Sequence, residues 1–327
     1  MTDAQPAKIK DPALYTPLAR FGGQPPEAPR WFVDALACKP QERKIMADGA
    51  AIETLVWGEI GKPGLLLLHG NGAHAGWYRF IAPFFADHYR VVTMSWSGMG
   101  ASDWRKDYTL DSFVAEIMAV AAGTGLFAGV PKPIVVGHSF GSFPLAEAAC
   151  RHGERFGGVV IVDSPFLTPE RREQRRRERG VRPQRPRELA PHRIYPTLEA
   201  ALGRFRLAPL QPCNNLFIAD LIAREGLKQT TAADGSPGWV WRFDPFLWRD
   251  FHMPDLTGML GRMKCPAALM RGTNSQLMHA EDFAYTHALM PAGSPWLEIP
   301  DAEHHVMIDQ PLAFVSALNG LLAGWPA

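Results

Sequence analysis

The chain contains the stretch Ile134-Val135-Val136-Gly137-His138-Ser139-Phe140-Gly141, an apolar run that ends in a Gly-x-Ser-x-Gly pentapeptide. Residues 142–149 follow it with the spacing of a helix. A strand, this pentapeptide and a helix predict a nucleophile elbow, a turn so tight that the serine takes a strained backbone conformation. Gly137 and Gly141 leave room in the turn, because a side chain at either position would collide with the neighbouring strand and helix. The stretch therefore predicts Ser139 as a nucleophile.

The composition is that of a globular chain without a bias in charge. Of the 327 residues, 46% are hydrophobic, which is ample for a buried core. The formal net charge of +1 predicts neither nucleic acid nor a membrane as a partner. There is no 18-residue apolar run, no signal peptide is expected, and four scattered cysteines are typical of a cytoplasmic enzyme. Because histidines and cysteines do not cluster at ligand spacing, we expect no metal site.

Short apolar runs alternate with helical spacing over most of the chain. The strand-like runs are residues 65–68, 90–94, 134–136, 158–162, 267–270 and 296–299. Helical spacing occurs at residues 76–86, 110–122, 140–152, 281–289 and 311–322. Residues 44–57 predict a β-hairpin that turns at Asp48-Gly49. The pattern predicts an α/β fold with a mostly parallel sheet and helices on both faces.

The alternation stops at residues 165–254, which contain no buried-strand run. We predict that this insertion is a helical cap on a core formed by residues 1–164 and 255–327, of which residues 1–40 form an irregular arm. Its arginine-rich start, residues 171–187, fits either a solvated helix with interleaved glutamates or a site for phosphates such as those of coenzyme A. Its later aromatic residues predict an apolar substrate pocket. Candidate lining residues are Trp77, His138, Phe166 and Trp241.

A serine nucleophile needs a base, a group that orients the base, and hydrogen-bond donors for the oxyanion. The base is expected in the loop after the last strand, where His304 and His305 are adjacent. One oxyanion donor is the backbone amide of Phe140, at a helix N-terminus. The second is expected at Asn71, since the glycines beside it let the loop after residues 65–68 approach the reacting carbonyl.

Four segments together resemble the α/β-hydrolase superfamily: His69-Gly70, Ser97–Asp103, the Gly137–Gly141 pentapeptide and Ala302–Pro311. The resemblance covers residues 44–322 apart from the insertion, and it implies the α/β-hydrolase fold with a triad in the order Ser, acid, His. In the family, the last segment is typically Ala-Gly-His followed by an apolar run and a proline. This places the base at His304, with Glu303 replacing the usual glycine. Asp103 lies in a turn that is usually structural in the family, its carboxylate bound by loop amides.

The position of the triad acid in this chain differs from the commonest one in the family. Most members have an aspartate in the turn after the strand that corresponds to residues 267–270, where this chain has Ser275. Neither Ser275 nor the adjacent Asn274 can carry the charge that stabilises an imidazolium. Some branches place the acid after the strand that follows the elbow helix, where this chain has Asp163, and we predict Asp163 as the acid. Alternatively, Asp163 caps the turn into the insertion, and Glu281 or Asp282 is the acid of the triad.

These residues predict a serine hydrolase that cleaves a carboxylic ester of a small to medium apolar substrate through an acyl-enzyme, without a metal or organic cofactor. Lactone, amide, thioester or C–C bond hydrolysis fits the same triad, as does a cofactor-free haloperoxidase-like activity. Epoxide hydrolases and haloalkane dehalogenases use an aspartate nucleophile, so Ser139 argues against them. A ligand-sensing protein with slow turnover is the alternative from another class. The expected partner is a small molecule, and the sequence predicts no oligomeric state.

Overall fold

A computed structural model describes residues 11–178, 190–253, 256 and 258–325. The strands are β1 Gln41–Ala47, β2 Ala50–Trp57, β3 Gly64–Leu68, β4 Arg90–Met94, β5 Ile134–His138, β6 Gly158–Val162, β7 Leu227–Thr231, β8 Pro237–Trp241, β9 Ala267–Gly272 and β10 Trp296–Ile299. The α-helices are α1 Pro12–Tyr15, α2 Arg30–Ala37, α3 Leu110–Gly123, α4 Ser142–His152, α5 Pro169–Glu178, α6 Leu198–Leu202, α7 Leu216–Glu225, α8 Ala280–Ala288, α9 Val306–Asp309 and α10 Pro311–Ala323.

Eight strands form one twisted sheet in the order β1-β2-β4-β3-β5-β6-β9-β10. The hairpin β1–β2 is antiparallel and β2 runs antiparallel to β4, whereas the pairs from β4 to β10 are parallel. The predicted α/β-hydrolase fold is therefore confirmed. Since the strands β3, β5, β6, β9 and β10 run in parallel, the loops at their carboxyl ends meet at one edge of the sheet.

The central strands are buried on both faces, as their continuous apolar runs predicted. Along β3, Leu65 and Leu67 pack into the hydrophobic core on one face, while Leu66 and Leu68 pack into the core on the other. All four side chains are inaccessible to solvent. Because side chains alternate along a strand, such a sheet needs an apolar layer on each side, and the flanking helices provide it.

Two predicted elements differ from the structure. The helix expected at residues 76–86 is replaced by two single 3₁₀ turns, Ala75–Tyr78 and Ala82–Phe85. Pro83 explains the interruption, since proline has no amide hydrogen and clashes with the preceding helical turn. The arm of residues 1–40 is not irregular throughout, because α2 buries Phe32 and Ala35 against the core.

The insertion contains α5, α6 and α7 together with a two-stranded antiparallel sheet, β7–β8. The prediction of a purely helical cap did not include this sheet. Its strands lie at the surface and lack the continuous apolar run that marks a buried strand. In the arginine-rich stretch, Arg177 pairs with Glu173 at 3.1 Å and Arg171 with Asp282 at 3.8 Å. Arg179, Arg182, Arg185 and Arg187 lie outside the described residues. The limits of the insertion as a separate domain remain a prediction.

Helices of the described ranges are all too short or too polar to cross a lipid bilayer.

Candidate active site

The nucleophile elbow joins β5 to α4 through a 3₁₀ turn, Ser139–Gly141. Ser139 has a φ of 52°, in the left-handed region that non-glycine residues rarely adopt. A Cβ at Gly137 would lie 2.8 Å from the carbonyl oxygen of Gly141, and a Cβ at Gly141 would lie 2.7 Å from that of His69. Only glycine fits at these two positions, and the turn projects the Ser139 side chain from the carboxyl end of the strand.

Three predicted residues from three separate loops form one hydrogen-bonded chain. His304 lies between the other two, with its Nε2 2.9 Å from Ser139 Oγ and its Nδ1 2.8 Å from Asp163 Oδ1. Asp163 accepts from the Nδ1–H, so Nε2 is left with a lone pair for the serine hydroxyl. Asp163 is inaccessible to solvent and His304 is nearly so. The arrangement can remove the proton from Ser139 and stabilise the imidazolium that results.

Asp163 is held by more than the histidine. Its Oδ2 accepts from the amide of Gly272 at 2.9 Å, and its Oδ1 accepts from the hydroxyl of Ser275 at 2.5 Å. Ser275 thus stands where most family members have the acid, and it donates a hydrogen bond to Asp163, the predicted acid. Asp163 also has a left-handed backbone, with a φ of 51°. The alternatives Glu281 and Asp282 lie on α8, and both ring nitrogens of His304 are already bonded elsewhere.

Two further histidines pack against His304. The ring centroids of His138 and His305 lie 4.7 Å and 4.8 Å from that of His304. Burial, together with the proximity of His304, holds the pKa of both imidazoles well below its usual value. Both rings therefore stay neutral, so a positive charge that develops on His304 meets no like charge beside it. His138 also donates from Nε2 to the carbonyl oxygen of His304 at 2.9 Å, which fixes the backbone of the base.

The histidine trio could also hold a metal ion. His138, His304 and His305 each offer a ring nitrogen, and these atoms lie within 4.8 Å of one another. The prediction of no metal site rested on spacing along the chain, and it missed this group because His138 is far from the other two in sequence. Zinc binds imidazole nitrogens at about 2.0–2.1 Å, so the rings would have to close around an ion. An ion bound to His304 would take the lone pair that a general base needs.

The loop after β3 lies against the nucleophile. A Cβ at Gly70 would lie 3.0 Å from the Cβ of Ser139 and 3.5 Å from its Oγ. The preceding His69 holds the loop: its Nδ1–H donates to the carbonyl oxygen of Gly70 at 2.7 Å and its Nε2 accepts from the amide of Trp96 at 3.2 Å. Burial lowers the pKa of His69 to about 3, so it stays neutral in this role. The predicted oxyanion donor Asn71 follows Gly70 directly.

A cavity of about 600 Å³ begins at Asn71 and extends under the insertion. Trp77 and Trp241, two of the four predicted pocket residues, line it. The other two lie elsewhere. His138 is buried beside His304, and Phe166 is buried against Phe143, because the chain after β6 turns into the core before it enters the insertion.

Trp248 connects this cavity to the elbow, a contact that the sequence did not predict. Its Nε1 donates to Asn71 Oδ1 at 3.0 Å, and its ring packs edge-on against Phe140 with centroids 5.1 Å apart. One tryptophan of the insertion therefore contacts both residues whose amides are the predicted oxyanion donors. Asp103, by contrast, accepts from the amide of Ala51 at 2.9 Å, which is the structural role expected of it.

The fold and this geometry define an α/β-hydrolase. The model of the alpha/beta hydrolase family matches residues 65–318, and the chain belongs to this family. It is accordingly a hydrolase.

Among relatives, the chain is similar to esterase Rv0045c of Mycobacterium tuberculosis, with 25% identity over 289 residues that cover 86% of this chain and 89% of the relative. It is 30% identical over 111 residues to a pimeloyl-[acyl-carrier protein] methyl ester esterase of Edwardsiella ictaluri, covering 34% of this chain and 40% of that protein. The solved thioesterase domain from the curacin biosynthetic pathway superimposes with a TM-score of 0.67 at 20% identity, covering 86% of this chain and 99% of the domain. The last likeness concerns the fold alone.

Proposed function

We propose that this chain is a serine hydrolase that cleaves carboxylic esters of small to medium, largely apolar substrates through an acyl-enzyme. The observation that carries the proposal is the hydrogen-bonded chain from Ser139 through His304 to Asp163, whose two links measure 2.9 and 2.8 Å. A nucleophile, a base and an acid in these positions are the parts that acyl transfer requires.

In the proposed mechanism, His304 Nε2 accepts the proton of Ser139 as Oγ attacks the ester carbonyl carbon. The carbonyl oxygen becomes an oxyanion that accepts hydrogen bonds from the amides of Phe140 and Asn71. His304 then returns the proton to the leaving alcohol, and the acyl group remains on Ser139. Water, deprotonated by the same imidazole, attacks the acyl-enzyme, and the imidazolium returns this proton to Ser139 Oγ as the acid departs. Asp163 stabilises the imidazolium in both halves of the reaction.

The relatives support ester hydrolysis over the other reactions of this triad. The relative aligned over 289 residues is named an esterase, and a second relative is named a methyl ester esterase. Lactones, amides, thioesters and C–C bonds remain alternatives on the same residues, as does a slow-turnover sensor. The proposed mechanism needs no metal or organic cofactor. We also propose that the enzyme is cytoplasmic, which is consistent with its four free thiols.

Hydrolysis of p-nitrophenyl butyrate by wild-type protein and by Ser139→Ala tests the proposal. We expect multiple turnovers for wild type and a loss of about 10⁴-fold or more for the variant. A fluorophosphonate should add once to wild type and not to Ser139→Ala. Ser316→Ala, on the exposed face of α10, is the matched control and should behave as wild type. Equal labelling of wild type and Ser139→Ala would refute the assignment, and a single turnover without release would favour the sensor.

A further inference from the structure

Three arginines line the cavity beside the elbow: Arg204 and Arg206, in the loop after α6, and Arg242, directly after β8. Arg242 Nε donates to the carbonyl oxygen of Leu227 at 2.9 Å, which anchors its side chain. Its terminal amino groups have no partner among the described residues. Arg204 and Arg206 are exposed, and neither makes an ion pair or a side-chain hydrogen bond with a residue that the structure describes. Three guanidinium groups are thus available to a ligand.

Negative charge in the cavity does not balance these arginines. Among the described lining residues, Asp244 is the one carboxylate. One of its oxygens accepts from the hydroxyl of Tyr108 at 2.8 Å, and the other accepts from the amide of Phe246 at 2.8 Å. Asp244 is therefore used to hold the insertion to the core. The described wall keeps a net positive charge.

The charge of this wall comes from arginine and not from histidine. His74 also lines the cavity, but burial lowers its pKa and outweighs the opposing effects of its hydrogen bond to the carbonyl oxygen of Ile222 and of nearby Glu53. His192 lines it as well, and burial lowers its pKa too. Since arginine stays protonated at all physiological pH values, the cavity wall keeps its positive charge throughout that pH range.

We propose that this arginine-lined part of the cavity, formed by Arg204, Arg206 and Arg242, binds an anionic group of the substrate, a carboxylate or a phosphate, that lies away from the ester being cleaved. The inference rests on the proposed function, and it narrows the substrate to esters that carry a negative charge at the far end. Guanidinium groups bind both anions through paired, charge-assisted N–H hydrogen bonds.

The rest of the cavity fits the part of the substrate between the charge and the ester. Trp77, Phe205, Trp241, Leu247 and Trp248 line the same space, and so does Asn71, which follows Gly70 beside Ser139. An apolar chain would contact these side chains while its charged end pairs with the arginines. The cavity would then select for length as well as charge, because the spacing of anion and ester must match the distance from the arginines to Ser139.

The test compares esters that differ only in the terminal charge. Monomethyl adipate and methyl hexanoate form the carboxylate pair, and methyl 6-phosphonooxyhexanoate and methyl 6-hydroxyhexanoate form the phosphate pair. We expect kcat/KM to favour the anionic member of one pair by at least about tenfold, as charge-assisted hydrogen bonds imply. Arg204→Gln/Arg206→Gln and Arg242→Gln should each reduce that preference, chiefly by raising KM for the anionic ester, and should affect methyl hexanoate hydrolysis much less.

Arg155→Gln is the control, since Arg155 is exposed before β6, at the opposite end of the strands. Retained hydrolysis of methyl hexanoate shows that each arginine variant has folded. The pair in which kcat/KM favours the anionic ester shows whether the arginines bind a carboxylate or a phosphate. Equal kcat/KM within both pairs, or a preference that survives both arginine variants, would overturn the inference and leave the proposed function intact.

A binding measurement separates the failure of this inference from the failure of the proposed function. Ser139→Ala turns over too slowly to interfere, so calorimetry can follow the binding of monomethyl adipate and of methyl 6-phosphonooxyhexanoate to it directly. Binding that is weakened by Arg204→Gln/Arg206→Gln would support the anion site even if no ester were hydrolysed by wild type. If neither compound binds Ser139→Ala more tightly than its neutral counterpart, the inference is wrong.

Discussion

His304 and His305 are adjacent and chemically identical, yet their rings have different neighbours. The ring of His304 bonds to Ser139 and Asp163, whereas that of His305 packs edge-on against Trp77 with centroids 5.2 Å apart. We therefore expect His304→Ala to lose about 10⁴-fold or more in kcat and His305→Ala to lose about tenfold or less. Steady-state hydrolysis of p-nitrophenyl butyrate measures both, and thermal melting checks that each variant folds. The reverse order of activities would make His305 the base.

Asp163 is the proposed acid of the triad, and Ser275, which occupies the position of the acid in most of the family, donates a hydrogen bond to it. Asp163→Asn keeps the shape but favours the wrong tautomer of His304, so we expect kcat to fall by up to about 10⁴-fold. Ser275→Ala removes one of three hydrogen bonds to the carboxylate and should cost about tenfold or less.

The double variant Asp163→Ala/Ser275→Asp tests whether a carboxylate at the usual family position can serve. Ser275 Oγ already lies 2.5 Å from Asp163 Oδ1, so a carboxylate at residue 275 would point at the same histidine. We expect partial recovery of kcat relative to Asp163→Ala alone. Full activity of Asp163→Ala by itself would exclude Asp163 as the acid.

At the scale of elements, the segment from β10 to α10 that carries His304 depends on a half-buried carboxyl. Asp309, the last residue of α9, accepts from the amide of Glu303 at 2.9 Å and from Gln211 Nε2 at 2.9 and 3.0 Å. Burial is the main cause that raises its pKa from 3.8 to about 7. The folded chain thus holds this proton more tightly than the unfolded chain does.

This raised pKa predicts a pH dependence of stability. The contribution of Asp309 is fully present below about pH 4, and it declines as the pH rises through about 7, because ionisation then occurs at a half-buried carboxyl that is partly desolvated. Asp309→Asn should flatten the fall in Tm between pH 4 and 8. Asp301→Asn, at an exposed position of the same segment, is the control and should leave the curve unchanged. The same slope in Asp309→Asn and wild type would contradict the prediction.

Elements differ in how well the sequence predicts them. Strands of the central sheet were predictable because burial on both faces demands continuous apolar runs, as in β3 and β6. The hairpin β7–β8 was not, because it lies at the surface, where most side chains are partly or fully exposed. The helix predicted at residues 76–86 contains Pro83, and a proline inside a helix removes a backbone hydrogen bond, so the sequence itself argued against this helix.

The site was predictable where a role is tied to a local motif. Ser139 was chosen from the elbow, and His304 and Asp163 were chosen from the family resemblance together with their places after strands; the structure brings the three together. The contacts of His138 with His304 and of Ser275 with Asp163 join residues that are distant in sequence, and no motif encodes either contact. Such contacts depend on packing, which no spacing rule encodes.

At the scale of the whole molecule, the insertion and the core share the cavity. Asp244 of the insertion bonds to Tyr108 and donates its amide to the carbonyl oxygen of Gly98 at 2.7 Å, while Trp248 bonds to Asn71. The lining residues come from several segments that are far apart in the chain, from residue 71 to residue 248. No short stretch of sequence therefore specifies the substrate, which explains why the sequence predicted the chemistry and not the ligand.

The left-handed backbones of Ser139 and Asp163 have a consequence for the evolution of this protein. Both residues end neighbouring strands, with φ values of 52° and 51°, and each such conformation costs about 1–3 kcal/mol. Ser139→Gly should relieve that cost and raise Tm by about 2–4 °C, after allowance for the greater freedom of glycine in the unfolded chain. Ser139→Ala removes the same hydroxyl but keeps the strain, so it should melt near wild type, and equal melting of the two variants would contradict the argument. Selection for folding alone would favour glycine at this position, so selection for the serine hydroxyl would act against stability.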